Sequence, residues 1–166
     1  MKDMEESGTS RCEAGFTLVE LLVVVAVIGI LATIAIPIFQ QMILRAKATS
    51  IMADYYQARN SATEFYADMN RYPKDTLQGE VPWKNDPQFQ SYIQNKVNWN
   101  RPTLQYDWEN WSGTNGNPTA QFGIAVGFTA FIPDDALGAV LMKKAGSLAV
   151  ETRPQCYTFI IEAAQN

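Results

Sequence analysis

Histidine is absent from the 166 residues. That removes the side chain whose charge changes nearest neutral pH, together with the commonest metal ligand and His-based acid–base catalysis. Cysteine occurs only at Cys12 and Cys156, near opposite ends of the chain, so no paired spacing points to a zinc site. The phosphate-cradling pattern GxxxxGK[ST], a GxGxxG opening a helix and the nucleophile turn GxSxG are also missing. The 13 Lys and Arg are outnumbered by 17 Asp and Glu, for a net charge of -4. An acidic chain without clustered basic residues is a poor partner for nucleic acid, whose phosphates must be neutralised. These absences imply no cofactor and no metal. They also argue against a single-pass membrane enzyme, since no convergent nucleophile and base replaces the missing His. The length suits one compact domain plus a membrane segment.

What the sequence does hold is one long uncharged run, Leu21 to Leu44, interrupted only by Thr33, Pro37, Gln40 and Gln41. About 20 apolar residues cross the hydrocarbon core of a bilayer as a helix. A fully buried core helix is the alternative, but such a run is long for a domain of this size. A polar stretch, Met1 to Gly15, precedes it and carries Lys2, Asp3, Glu5, Glu6, Arg11 and Glu13. A secretory signal peptide is cut after its apolar region at a small-residue site. Here the apolar run continues into the chain with no such site soon after it, and Cys12 lies ahead of the run, where a lipoprotein cysteine would not.

The junction Gly15-Phe16-Thr17-Leu18-Val19-Glu20, followed by LLVVVAVIGILATIAIPIFQ, resembles the prepilin peptidase site of type IV pilins and type II secretion pseudopilins. The match covers Gly15 to Arg45, then weakly to Pro73. The resemblance implies cleavage between Gly15 and Phe16, methylation of Phe16, and a leader spanning residues 1–15. It implies three partners: the prepilin peptidase, identical and related pilin subunits in a helical polymer, and an inner-membrane assembly platform. It also implies a single-pass inner-membrane precursor that later joins an extracellular fibre or a periplasmic pseudopilus. Family leaders are usually basic, whereas this one holds two basic and four acidic residues. The positive-inside rule therefore does not support a cytoplasmic N-terminus, and that orientation rests on the resemblance.

Glu20 is the sole charge within the apolar segment. An interfacial carboxylate with no role is one reading. The family reading is an assembly residue that pairs with the new α-amino group of Phe16 on a neighbouring subunit, because an unpaired charge in a fibre core is strongly unfavourable. Pro37 lacks an N–H and clashes with the carbonyl of Thr33, and Gly29 lowers helix propensity. Both residue types are common in membrane helices; the family reading makes Gly29 to Pro37 a flexible stretch that melts during assembly.

Beyond Arg45 and Lys47 the pattern turns amphipathic. Ile51, Tyr55, Ala58, Ala62, Phe65, Tyr66 and Met69 recur at spacings of three and four, while Lys47, Asp54, Arg59, Glu64 and Asp68 fall on other faces. One helix from Phe16 to about Arg71 would be roughly 80 Å long, ended by Pro73. Three segments then follow residue 15: a membrane and filament-core helix at 16–44, an amphipathic half at 45–72, and a head at 73–166. In the head, Asp86-Pro87 is expected to start a short helix reaching about Val97. Thr103 to Trp108 and Gln121 to Ile132 are expected as antiparallel strands around the turn-rich SGTNGNP at 112–118. Asp134 or Asp135 should cap a helix over 136–145 ended by Gly146, and Cys156 to Ala163 reads as a last strand. The expected fold is α+β, a long N-terminal helix packed on a small antiparallel sheet.

Trp83, Trp99, Trp108 and Trp111 read as sheet and loop packing, with a contact or adhesion patch as the alternative. Asn110-Trp111-Ser112 matches a glycosylation acceptor, a short pattern that occurs by chance. Asp107, Glu109 and Asn115 have the chemistry for calcium but not an EF-hand spacing. Downstream of Gly15 the sequence has one cysteine, Cys156, so the C-terminal region must be held by packing. The leading function is a structural subunit, major or minor, of a type IV pilus-like filament, and a type II secretion pseudopilin is the alternative. A DNA-uptake minor pilin would need a basic exposed strip, and the head's Lys and Arg are scattered.

Overall fold

The computed structural model describes residues 15–99, 101, 103–111 and 122–163. The turn-rich segment 112–118, including Asn115, and the leader through Ala14 lie outside them. The chain divides into two compact units, 1–40 and 41–166.

The first unit holds the N-terminal part of α1 (Leu18–Met69), an unbroken helix of 52 residues. From Gly15 to Ile43 every side chain is exposed except Ala32, which is half-buried. The helix is long and apolar enough to cross a membrane. Gly29 and Pro37 both sit inside it, so the expected kink or loosening does not interrupt the helix.

The second unit is built on the remainder of α1. Ala48, Ile51, Met52, Tyr55, Ala58, Ala62 and Phe65 are buried, which is the stripe that helical periodicity predicts. Tyr66 and Met69 depart from it, at 42% and 39% exposed. Asn70 adopts a left-handed conformation (φ 53°), and its N–H donates to the Tyr66 carbonyl at 2.8 Å. That cap ends the helix three residues before Pro73, and the stripe's last turn runs past the core. Asp54 is a second correction. The pattern puts it on a face other than the apolar stripe, yet it is buried.

Four antiparallel strands pack on this helix: β1 (Gln105–Asn110), β2 (Ile124–Phe131), β3 (Ala149–Arg153) and β4 (Cys156–Ala163), in the order β1-β2-β4-β3. The inner face carries Tyr106, Trp108, Val126, Phe128, Ala130 and Phe159, all fully buried. Tyr55 stacks on Phe159 with ring centroids 4.8 Å apart and donates its hydroxyl to the Ile160 carbonyl at 2.9 Å. Phe65 meets Phe89 edge-on at 5.3 Å. The free edge of β1 is covered by the loop before it, where Thr76 and Gly79 donate N–H groups to Trp108 and Tyr106 carbonyls. This pairing blunts an edge that would otherwise invite another strand. The α+β arrangement is the one expected from the sequence.

Helix α3 (Asp135–Ala145) is capped by Asp134, whose carboxylate accepts from the N–H groups of Ala136 and Leu137 at 3.0 and 3.1 Å. Gly138 lets α3 approach the sheet: a Cβ there would stand 2.0 Å from the Tyr157 hydroxyl. The expected helix from Asp86 to about Val97 is replaced by a 3-10 turn at Pro87–Phe89 and one short helical turn, α2 (Gln90–Ile93). Asp86 does not cap it. Its carboxylate is taken by the Arg71 guanidinium and the Lys74 N–H, and a charge-assisted pair outcompetes a cap on so short a helix.

Candidate processing and assembly segment

Gly15, Phe16 and Thr17 precede α1 and are exposed, Phe16 at 82%. A Cβ added at Gly15 would meet nothing within 4 Å, and the same holds at Gly29. Packing within the chain therefore requires glycine at neither position.

Thr17 and Glu20 close a reciprocal ring. The Glu20 carboxylate accepts from the Thr17 N–H at 2.9 Å and from the Thr17 hydroxyl at 2.7 Å, while the Glu20 N–H donates to Thr17 Oγ1 at 3.2 Å. The Thr17 carbonyl takes the first helical bond, from Leu21 N–H at 3.2 Å. This is a capping box, in which the cap hydroxyl and the glutamate three residues on satisfy N–H groups that a helix start leaves without partners. Glu20 thus sits beside the Gly15–Phe16 bond with its carboxylate already engaged, and Gly29 and Pro37 lie farther along the same helix. Thr17 is a member of the site that the apolar-run reading passed over. The S/T-x-x-E spacing is the signal that finds it.

The head contributes a different polar cluster. On the outer face of the sheet Asp107 and Glu109 are buried, at 7% and 8% exposure. The Thr76 hydroxyl donates to Asp107 at 3.1 Å and that of Thr129 to Glu109 at 3.1 Å. Thr129 shares a hydrogen bond with Thr158, and Thr158 another with Thr152, at 2.9 and 3.1 Å. Burial, and secondarily the charge of Asp75, raises the Asp107 pKa to about 7. Burial with the charges of Asp107 and Asp75 raises Glu109 to about 8. Among the described residues no group of three or more His, Cys, Asp or Glu is placed to hold a metal ion. On the inner face Asp54 accepts from Tyr106 at 2.6 Å and from Arg101 at 2.5 Å. Burial raises its pKa, and those two partners oppose the rise.

Comparison with known proteins addresses the N-terminal segment. The family model of the prokaryotic N-terminal methylation motif matches residues 10–36. A type IV major pilin protein, PilE, of Neisseria gonorrhoeae is 35% identical over 69 residues, covering 42% of this chain and 41% of its own length. The fimbrial protein EcpC of Eikenella corrodens is 36% identical over 65 residues, covering 39% of this chain and 42% of its own. A type IV major fimbrial protein, FimA, of Dichelobacter nodosus is 49% identical over 49 residues, covering 30% and 31%. The chain thus spans less than half the length of the curated relatives it matches. No solved structure matches it significantly. The N-terminal region of the chain is similar to that of type IV major pilins and fimbrial proteins.

Proposed function

We propose that this chain is a structural subunit, major or minor, of a type IV pilus-like filament. Prepilin peptidase cuts it between Gly15 and Phe16, Phe16 is methylated, and residues 16–44 hold it first in the inner membrane and then in the fibre core. The observation that carries this reading is a methylation motif at the head of a continuous helix with two characters. Its first part exposes apolar side chains on every face, and its second part is the core of a folded head. A helix apolar all round needs a solvent of lipid or of other helices. In the fibre, burying that surface away from water supplies the driving force.

The absence of any intrachain packing need for Gly15 supports a requirement imposed from outside, by the peptidase. Gly15→Val is therefore expected to accumulate as uncut precursor in the membrane, seen as retention of the leader mass in intact-mass spectrometry. Fibres assembled from chains that still begin at Met1 would sink the processing step. A type II secretion pseudopilin is the second reading, favoured by Cys156, a buried free thiol and the one cysteine downstream of Gly15. The resemblance implies a C-terminal disulfide loop in many pilins, and the single thiol of Cys156 does not supply that pair. Surface fibres containing this subunit would decide for the pilus, and short periplasmic assemblies for the pseudopilus.

A further inference from the structure

Four cations collect where the uncharged run ends. Arg45 and Lys47 are the first charges after Leu44. Lys143 and Lys144 stand in the last turn of α3, and the fold brings them to the same stretch of α1. Lys144 Nζ donates to Thr49 Oγ1 at 3.0 Å, and a surface cleft is lined by Leu44 and Arg45 with Ala136, Val140, Lys143 and Lys144. All four cations are exposed. The ion pairs among the described residues use Arg71, Lys84, Lys96 and Arg101 instead. The acids of α3 lie at its other end, where Asp134 is occupied as the cap. In a chain of net charge -4, this cluster runs against composition. Lysines in a last helical turn also complement the helix dipole, but that explains neither Arg45 nor the apolar lining beneath the charges.

We propose that this cleft binds the headgroup of an anionic phospholipid. The lipid phosphate sits among Arg45, Lys143 and Lys144, and the glycerol and upper acyl chain lie on Leu44, Ala136 and Val140. The inference rests on reading 16–44 as the membrane segment, because that places Arg45 at the interface, where long basic side chains reach headgroups. Lys47 lines a neighbouring cleft with Arg101 and Asp134, whose carboxylate offsets the charge there, so the site is centred on the α3 side. The headgroup would hold the head at the bilayer until the subunit leaves the membrane.

The test uses the full chain reconstituted in phosphatidylcholine vesicles with trace spin-labelled phosphatidylglycerol or phosphatidylcholine. The fraction of label immobilised by the protein is read by electron spin resonance. Each basic residue at an anionic surface is worth about fivefold in association. The native chain should therefore prefer the phosphatidylglycerol label, and losing both lysines in Lys143→Gln/Lys144→Gln should cut that preference by up to about 25-fold, with about 0.5 M salt weakening it as well. A preference unchanged in that double variant would overturn the proposal, since the flanking Arg45 and Lys47 alone would then account for it. No preference in the native chain, with Lys144 crosslinking between copies as protein concentration rises, would also overturn it and make the cleft a subunit contact. Competition by millimolar inorganic phosphate equal to that of the lipid would overturn it in favour of a soluble anion. Alkaline extraction of the same vesicles tests the underlying reading separately. A chain released by it has no membrane segment and sinks both, whereas retention without lipid preference sinks the headgroup site alone.

Discussion

Raising the pH from about 5 to about 9 is expected to loosen the head, and the outer face of the sheet is where the loss originates. Asp107 and Glu109 are raised to about 7 and about 8 in the fold, against roughly 4 in an unfolded chain. Between those limits the folded state binds protons that the unfolded state has released. The contribution of these two groups is therefore complete below about pH 4 and is lost as pH climbs through 7 and 8. The groups facing the two carboxyls are the hydroxyls of Thr76 and Thr129, the carboxylate of Asp75 and, as the one favourable charge, Arg153. One pKa unit is about 1.4 kcal/mol, so Asp107 alone corresponds to roughly 4 kcal/mol. Glu109 adds less than its own shift suggests, because part of that shift is the charge of Asp107. A total on the order of 4 to 6 kcal/mol is a large share of the 5–15 kcal/mol by which domains are usually stable. The assay is urea unfolding of a fragment 41–166, followed by tryptophan fluorescence at several pH values. Asp107→Asn/Glu109→Gln keeps an acceptor oxygen for each threonine but cannot ionise, so its profile should be nearly flat and cross above the native one in alkali. A native profile equally flat over that range would refute the argument. So would a double variant that is less stable than the native head at every pH.

Phe65→Ala removes a fully buried ring that meets Phe89 and Tyr92 edge-on, and should cost about 3–5 kcal/mol in the same unfolding assay; a change under about 1 kcal/mol would mean that the ring is not core. Asp54→Ala leaves the Tyr106 hydroxyl and the Arg101 guanidinium without their shared acceptor, with a loss on the order of 3 kcal/mol, while Asp54→Asn should recover part of it by restoring the acceptor.

Where side-chain alternation was strong, the fold was legible in advance. Tyr106 and Trp108 point inward on β1, and of the two candidate caps, Asp134 and Asp135, it is Asp134 that starts α3. Strand β3 was missed because its turn carries no glycine or asparagine. Pro154 and Gln155 close the hairpin, with Gln155 taking the left-handed conformation (φ 64°) that usually marks itself by Gly. Asp54 was misread because periodicity sorts positions by polarity, and a carboxylate that pairs across the core looks like any exposed one. Asp107 and Glu109 alternate away from the inner face, but alternation cannot say that the outer face is itself buried. At the N-terminus the motif is plain in the sequence, whereas the bond between Thr17 and Glu20 is signalled only by the S/T-x-x-E spacing.

That bond changes the assembly argument for Glu20. The carboxylate is not idle before assembly, since it already holds the Thr17 N–H and hydroxyl. Such a cap is worth about 1 kcal/mol, enough to help hold the first turn helical. On the proposed reading, cleavage after Gly15 would create a positive amine on Phe16, one residue before the cap. In water a neighbour's amine gains little over Thr17. In a fibre core both charges lose their hydration, and leaving either unpaired is far more costly than losing a cap. On that reading the local bond is a holding position that a fibre environment would override. Two variants separate the roles. Thr17→Val removes the hydroxyl's part of the cap and leaves the charge, so fibres should still form. Glu20→Ala removes the charge and the two bonds its carboxylate makes to Thr17, so the chain should still insert and be cut while fibres fall sharply. Equal loss of fibres in the two variants would make the cap the essential feature. Normal fibres containing Glu20→Ala subunits would show that no intersubunit charge pair is needed.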